Sequence, residues 1–311
     1  MAKRWPVLVS LWLAGTQLTP AIAQDSLSAS LNKKTIGLMV ADEAWLPIAR
    51  NFAHGLDHVD GLRILPILGS GSVQALSDLS FLQGVDAAIL SSDAISYANQ
   101  HGLLNPKTYR LNYTAKLDAL NVVLVARSSF TTLSSLNGKR IATGPVHSSA
   151  YATGEILFGA LGLDFQRVAL SENEGMAALR NGKADAALML GSSFEKSGLA
   201  GGQWKIISVP LIPSLQETYA PALLVADDFP GLIEPGKSVD TISAALILAV
   251  FNWPKGSLHY DKLNAFTAAL YANPALGDAD RGPINLATQV AGWSRYSVVD
   301  DIISSNKGDN P

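Results

Sequence analysis

The sequence predicts an α/β protein of two lobes, built on two mixed, mostly parallel sheets and joined by two crossing strands. Three observations predict it. Apolar runs of strand length alternate with helix-periodic segments, first between Thr35 and Gln100 and again between Arg140 and Leu190, the pattern of βαβ units. A module recurs: Gly84-Val85-Asp86-Ala87-Ala88-Ile89-Leu90 matches Gly182-Lys183-Ala184-Asp185-Ala186-Ala187-Leu188 with one residue of slack. Each copy follows a helical segment and leads into a small-residue loop. Finally, Leu117–Ala126 (LDALNVVLVA), between the copies, and Tyr219–Ala226 (YAPALLVA), after them, are β-rich runs suited to carry the chain out of one lobe and back.

The elements follow in order. Thr35–Val40 is a continuous apolar strand; Ala41-Asp42-Glu43 is a loop, and Trp45–Leu56 is helical. Leu62–Leu68 is a strand in which Pro66 points to an edge or a bend, because proline donates nothing to a ladder. The loop Gly69–Ser72 opens the helix Val73–Phe81, and the strand Val85–Leu90 ends in Ser91-Ser92-Asp93 before the helix Ala94–Gln100. Beyond the first crossing, Leu133–Gly138 is a short helix and turn. Arg140–Thr143 is a strand, Gly144–Ser149 a loop, and the next helix has its apolar side at Ala150, Thr153, Ile156, Leu157, Ala160 and Leu161. Strands at Arg167–Leu170, Ala184–Leu190 and Lys205–Val209 and a helix at Asn173–Leu179 complete the second lobe. After the return crossing the pattern reads as helical over Val239–Phe251, stopped by Pro254, and over Leu258–Tyr271. Short helices are expected at Leu286–Val290 and Val298–Ser304, and Ser305–Pro311 is a polar tail. The domain reading is a leader over 1–23, the first part of lobe 1 over 24–120, lobe 2 over 121–218 and the return to lobe 1 over 219–304.

The leader reading rests on Lys3 and Arg4, the apolar run Trp5 to Ala14, and Ala21-Ile22-Ala23 as a cleavage site, so that Gln24 starts the mature chain. That run is shorter than the ~20 residues a spanning helix needs. These features predict export to the periplasm. The leader carries two basic residues and no acid, so its removal takes the net charge from −3 to −5. A mildly acidic chain without basic runs argues against nucleic acid as a partner. The absence of cysteine excludes disulfides, thiolate metal sites and thiol nucleophiles.

The loops at strand C-termini carry the candidate site, because ligands of open α/β sheets sit there. They are Gly69–Ser72, Ser91–Asp93, Gly144–Ser149 and Gly191–Ser193, expected to converge on one interlobe cleft. The ligand-binding candidates within them are Ser70, Gly71, Ser72, Ser91, Ser92, Asp93, Gly144, His147, Ser148, Ser149, Gly191 and Ser192. A helix N-terminus entered through small residues holds an anion on its free N–H groups. The plain alternative is that Ser148 or Ser149, and Ser70 or Ser72, cap their own helices. Asp93 either meets an ammonium group or caps the helix from Ala94; Asp86 and Asp185 read as structural turn residues. Trp45 either stacks on a ligand or staples its helix. Tyr219 lies at the return crossing, and Arg127, just past the first, is the cation best suited to fork onto a carboxylate. Asp42 and Glu43 disfavour a dicarboxylate and favour a cationic or zwitterionic ligand, or serve as first-turn charges. His54 and His58, at i, i+4, can hold a metal with Asp57 or Asp60, but a solvated helix end explains them better. No GxSxG, HExxH, Walker or GxGxxG pattern occurs. No cofactor, metal or catalysis is expected.

The segments LRILPILGSGSVQALSDLSFLQGVDAAILSSDA, LSSLNGKRIATGPVHSSAYATGEILFGALGL, MAALRNGKADAALMLGSS and YAPALLVADDFP, in this order, resemble the TAXI solute receptors of TRAP transporters, which are type II periplasmic binding proteins. The similarity covers most of residues 34–270. It implies an extracytoplasmic receptor for a small organic acid or amino acid, with a TRAP-type membrane permease as partner; a monomer is expected. The chain departs from the family where the first loop reads Asp42-Glu43-Ala44-Trp45 in place of a glycine–threonine–tyrosine motif. A periplasmic sensor that docks on a sensor kinase shares the same cleft, and an exported enzyme on this scaffold is a third reading.

Overall fold

A computed structural model describes residues 34–104, 110–191, 199, 202–276 and 288–308. Residues 1–23, read above as a leader, Ser192, Ser193, Arg281 and the start of the Leu286–Val290 segment lie outside the described residues.

The described strands form one ten-stranded sheet in the order β2-β1-β3-β10-β4-β7-β5-β6, with β8 on β4 and β9 on β10. Lobe 1 holds β1 (Thr35–Val40), β2 (Arg63–Leu68) and β3 (Ala87–Ser91), all parallel. Its helices are α1 (Leu46–Leu56), α2 (Ser72–Phe81) and α3 (Ala94–Gln100). Lobe 2 repeats the plan with β5 (Arg140–Ala142), β6 (Gln166–Val168) and β7 (Ala186–Leu190), again parallel, and with α4 (Ser149–Ala160) and α5 (Glu172–Arg180). Parallel strands follow from helical crossovers, since a tight hairpin joins only antiparallel neighbours. β2 is the edge strand, as Pro66 requires.

The recurrent module has a structural cause. Asp86 Oδ2 accepts from Gly37 N at 2.9 Å, one residue before the Leu38↔Ala87 pair of β1 and β3. Asp185 Oδ2 accepts from Arg140 N at 3.0 Å, one residue before the Ile141↔Ala186 pair of β5 and β7. In each lobe the aspartate stands directly before its own strand, β3 or β7, and accepts from the backbone of the neighbouring strand, β1 or β5. Asp86 is buried and is balanced by Lys262 Nζ at 2.6 Å; Asp185 receives a forked bond from Arg140 Nε and Nη2 at 3.0 and 2.9 Å.

The crossing strands differ from the sequence expectation. The first, β4 (Leu111–Arg127), starts six residues before Leu117; its first part pairs with β10 and its last with β7 and β8 (Trp204–Ile207). The second is β10 (Ser238–Phe251), in the stretch expected to be helical. β9 (Ala220–Val225), expected to be the return crossing, instead forms a hairpin partner for residues 238–243 of β10. The helix reading fails because Thr241–Val250 is buried without interruption on both faces of a central strand. A continuous apolar run then shows neither period, and length alone favours a helix. Its β-branched residues Val239, Thr241, Ile242, Ile247 and Val250 agree with a strand. The crossing strands also make the sheet less parallel than expected: both run antiparallel to the strands beside them. The chain ends with α6 (Leu258–Ala272) on lobe 1 and α7 (Ser297–Gly308); residues 288–290 are not helical. No helix among the described residues is long and apolar enough to cross a membrane.

Candidate functional site

Two loop–helix units face each other. In lobe 1, β2 passes through Gly69-Ser70-Gly71 into α2; in lobe 2, β5 passes through residues 143–148 into α4. Ser148 is the cap of α4, its Oγ accepting from Tyr151 N at 3.2 Å. The next residue, Ser149, and its counterpart Ser72 are the first residues of their helices, both buried, with their hydroxyls 2.6 Å apart. Ser72 Oγ also accepts from Ser91 N at 2.9 Å. The backbones touch here: a Cβ on Gly71 would lie 2.1 Å from the His147 carbonyl oxygen. His147 has φ 69°, a left-handed conformation uncommon outside glycine. Its side chain is exposed.

Behind this contact lies Asp93, fully buried at the start of α3. Its Oδ1 accepts from Ser91 Oγ at 2.5 Å, and its Oδ2 accepts from Thr153 Oγ1 of α4 at 2.5 Å and from Tyr219 OH at 2.8 Å. One carboxylate thus ties lobe 1 to lobe 2 and to the segment before β9. Burial raises its pKa, against the lowering by hydrogen bonds from Ser91, Thr153 and Tyr219. Burial also pushes the Tyr219 phenol well up, with the Asp93 charge adding to it.

The mouth of the cleft is acidic. Asp42 follows β1 and caps a 3-10 turn, its Oδ1 accepting from Ala44 N at 3.0 Å. Glu172, the first residue of α5, is exposed at the surface, yet desolvation by the surrounding protein raises its pKa and the negative charge of Asp42 raises it further. The two lobes therefore bring one carboxylate each within electrostatic reach. On the lobe 2 side, Glu172, Ser171, Gly144 and Met189 line a cavity of about 30 Å³ whose walls all come from that lobe.

The sequence candidates divide accordingly. Ser72, Ser91, Asp93, Ser149 and Tyr219 meet in the interlobe contact, where their polar groups bond to one another, and the Gly71 backbone packs beside them on His147. Gly144 lines the lobe 2 cavity; Ser70 and His147 are exposed beside the contact, with Ser148 half-buried between them. Ser92 turns toward the crossing strands, its Oγ accepting from Ala245 N at 2.9 Å. Gly191 donates its N–H to Asn121 O at 3.0 Å. Trp45 is 5% exposed and packs in the lobe 1 core, so its ring staples the helix. Arg127 does not join the others. It sits opposite the start of β7, whereas the loops follow strand C-termini, and its guanidinium lies over Trp204, 5.3 Å from the ring centroid. The guanidinium that does lie beside α4 is Arg167, bonded to Glu155 and Thr143 and placed over Tyr151. Thr153 was legible only as part of an apolar stripe, and Glu172 only as a first-turn acid. No group of three or more His, Asp or Glu among the described residues could hold a metal ion.

Two α/β lobes joined by long crossing strands, with a loop–helix unit of each facing the other, define the type II periplasmic binding protein fold. The NMT1-like family model matches residues 44–194, from the turn before α1 past the end of β7. No curated protein matches the chain. Among solved structures, XAC2383 from Xanthomonas citri bound to ATP aligns at a TM-score of 0.54 and 11% identity, covering 89% of this chain and 100% of that one. PhnD1 from Prochlorococcus marinus in complex with methylphosphonate aligns at a TM-score of 0.49 and 13% identity, covering 89% of this chain and 98% of that one. The first of these likenesses is of the fold.

Proposed function

We propose that this chain is a periplasmic solute receptor that closes its two lobes on a small organic acid or amino acid. The observation that carries the reading is the direct meeting of Ser72 and Ser149, the first residues of equivalent helices in the two lobes, at 2.6 Å across paired crossing strands. Two helix N-termini brought to one spot offer several free N–H groups to a carboxylate. Hinge motion about the crossing strands opens and shuts that spot. The facing carboxylates Asp42 and Glu172 support a zwitterion over a dicarboxylate, because an ammonium group between them relieves their repulsion.

The leader-like pattern of residues 1–23 supports a periplasmic location, and the TAXI-like segments support a TRAP-type permease as the partner. The reading is tested by a thermal-shift screen of the mature protein against amino acids, organic acids and dicarboxylates. A solute at 100 times its Kd stabilises the folded state by about 2.7 kcal/mol. Stabilisation by amino acids without turnover is expected; turnover of the solute would favour an enzyme on this scaffold. Proteoliposomes holding the permease test delivery, with uptake expected only when the liganded receptor is added.

A further inference from the structure

We propose that a chamber on the crossing strands is a second binding site, one that takes a short-chain carboxylate. Its volume is about 180 Å³, and its walls come from β4, β9 and β10, with Ser92 from lobe 1 and residues 289–291. It shares no lining residue with the lobe 2 cavity beside Glu172. At ~30 Å³ of liquid volume per water, it has room for about six non-hydrogen atoms.

The chemistry of the lining is of one sign. Lys116 is half-buried on β4, is the single charged residue among the described residues lining the chamber, and has no carboxylate partner among them. A half-buried lysine without a counter-charge is a place where one negative charge is held. Neutral hydrogen-bonding groups surround it. The amides of Asn121 and Gln289 belong to the lining, and Ser92 Oγ, which accepts from Ala245 N, keeps its own proton to donate. Alanines, Ala119 and Ala222 among them, supply apolar wall for a short carbon chain. A carboxylate brings the single charge that one lysine balances, whereas phosphate brings more than one at neutral pH. Both crossing strands form the walls, so an occupant contacts the segment that bends when the lobes move.

The test is titration calorimetry of the mature protein with lactate, with lactamide as the neutral isostere, and with inorganic phosphate. Saturable one-to-one binding of lactate is expected, with lactamide and phosphate each at least about 10-fold weaker. Lys116→Met should weaken lactate by about 10- to 100-fold, the range for a hydrogen bond to a charged group. Lys116→Gln carries the same expectation if the methionine variant is unstable. Three results would overturn the proposal: no lactate binding up to about 50 mM, equal lactate affinity in wild type and a folded Lys116 variant, or phosphate binding as tightly as lactate.

Discussion

Replacing Gly71 by alanine tests whether the two lobes meet as described. The added Cβ would lie 2.1 Å from the His147 carbonyl oxygen, 2.7 Å from its carbonyl carbon and 2.8 Å from Ser148 Cα. All three atoms are backbone of the opposite lobe, so no side chain can swing aside. Reaching the 3.4 Å of ordinary contact requires about 1.3 Å of separation. The Ser72–Ser149 hydrogen bond, at 2.6 Å, does not survive that movement, and the Thr153 bond to Asp93 is drawn out with it. Gly71 also has φ 143°, which L side chains rarely adopt. Backbone strain costs about 1–3 kcal/mol, and a buried hydrogen bond is worth about 1 kcal/mol. A loss of about 3–5 kcal/mol is expected in urea unfolding. Gly84→Ala is the control: its φ is 89° and nothing lies within 4 Å of the added atom, so it suffers strain alone. A Gly71→Ala loss no greater than that of Gly84→Ala refutes the interlobe contact.

Further outcomes follow from the buried polar groups. Thr153→Val removes a donor from Asp93 and should cost about 1.5–3 kcal/mol, the range for a hydrogen bond to a charged group, in the same unfolding assay. The raised pKa of Asp93 means that the native state binds its proton more readily than the unfolded chain. Its stabilising contribution is therefore complete below pH ~3.9 and is lost as pH rises through the folded value. The stability of wild type minus that of Asp93→Asn should fall between acid and neutral pH, and a rising difference contradicts the assignment. Asp185 behaves in the opposite sense, because the forked bond from Arg140 lowers its pKa. Wild type relative to Asp185→Asn should lose stability as pH falls below ~3.9, read by acid titration of the circular dichroism signal. Thr267 Oγ1 is the buried side-chain atom without a hydrogen-bond partner among the described residues. Thr267→Val should therefore raise stability by about 1 kcal/mol, read as a higher melting temperature.

The lobes were legible because their signals are local. The repeated pattern of a glycine, one or two residues, then Asp-Ala-Ala marks a strand entry with its aspartate, and glycine–serine loops mark the helix starts. The second crossing strand was not legible, since a strand buried on both faces has no polar side to reveal its period. Its partner β9, mostly exposed in the structure, resembles the first crossing in length and apolarity and so reads as a crossing more readily than the strand that makes it. Within the site, chain order identified the small-residue loops but not what each side chain bonds. Ser72 and Asp93 spend their hydrogen bonds across the lobe contact, which depends on tertiary placement. Arg127 was assigned from its position after a crossing. The register that puts it opposite Trp204, one residue past the Ala126↔Ala186 pair at the far end of the strands, is fixed by β7 and β8 pairing and leaves no mark near residue 127 itself. The facing of Asp42 and Glu172 likewise joins residues 130 positions apart.

The most direct test of the receptor reading is titration calorimetry of the mature protein with the amino acid that most raises its melting temperature, alongside small-angle scattering. The account predicts saturable binding of one solute per chain and a smaller radius of gyration in its presence, as the lobes close about the crossing strands. Binding with no change in the scattering curve, or no binding by any amino acid or organic acid in the screen, would contradict it.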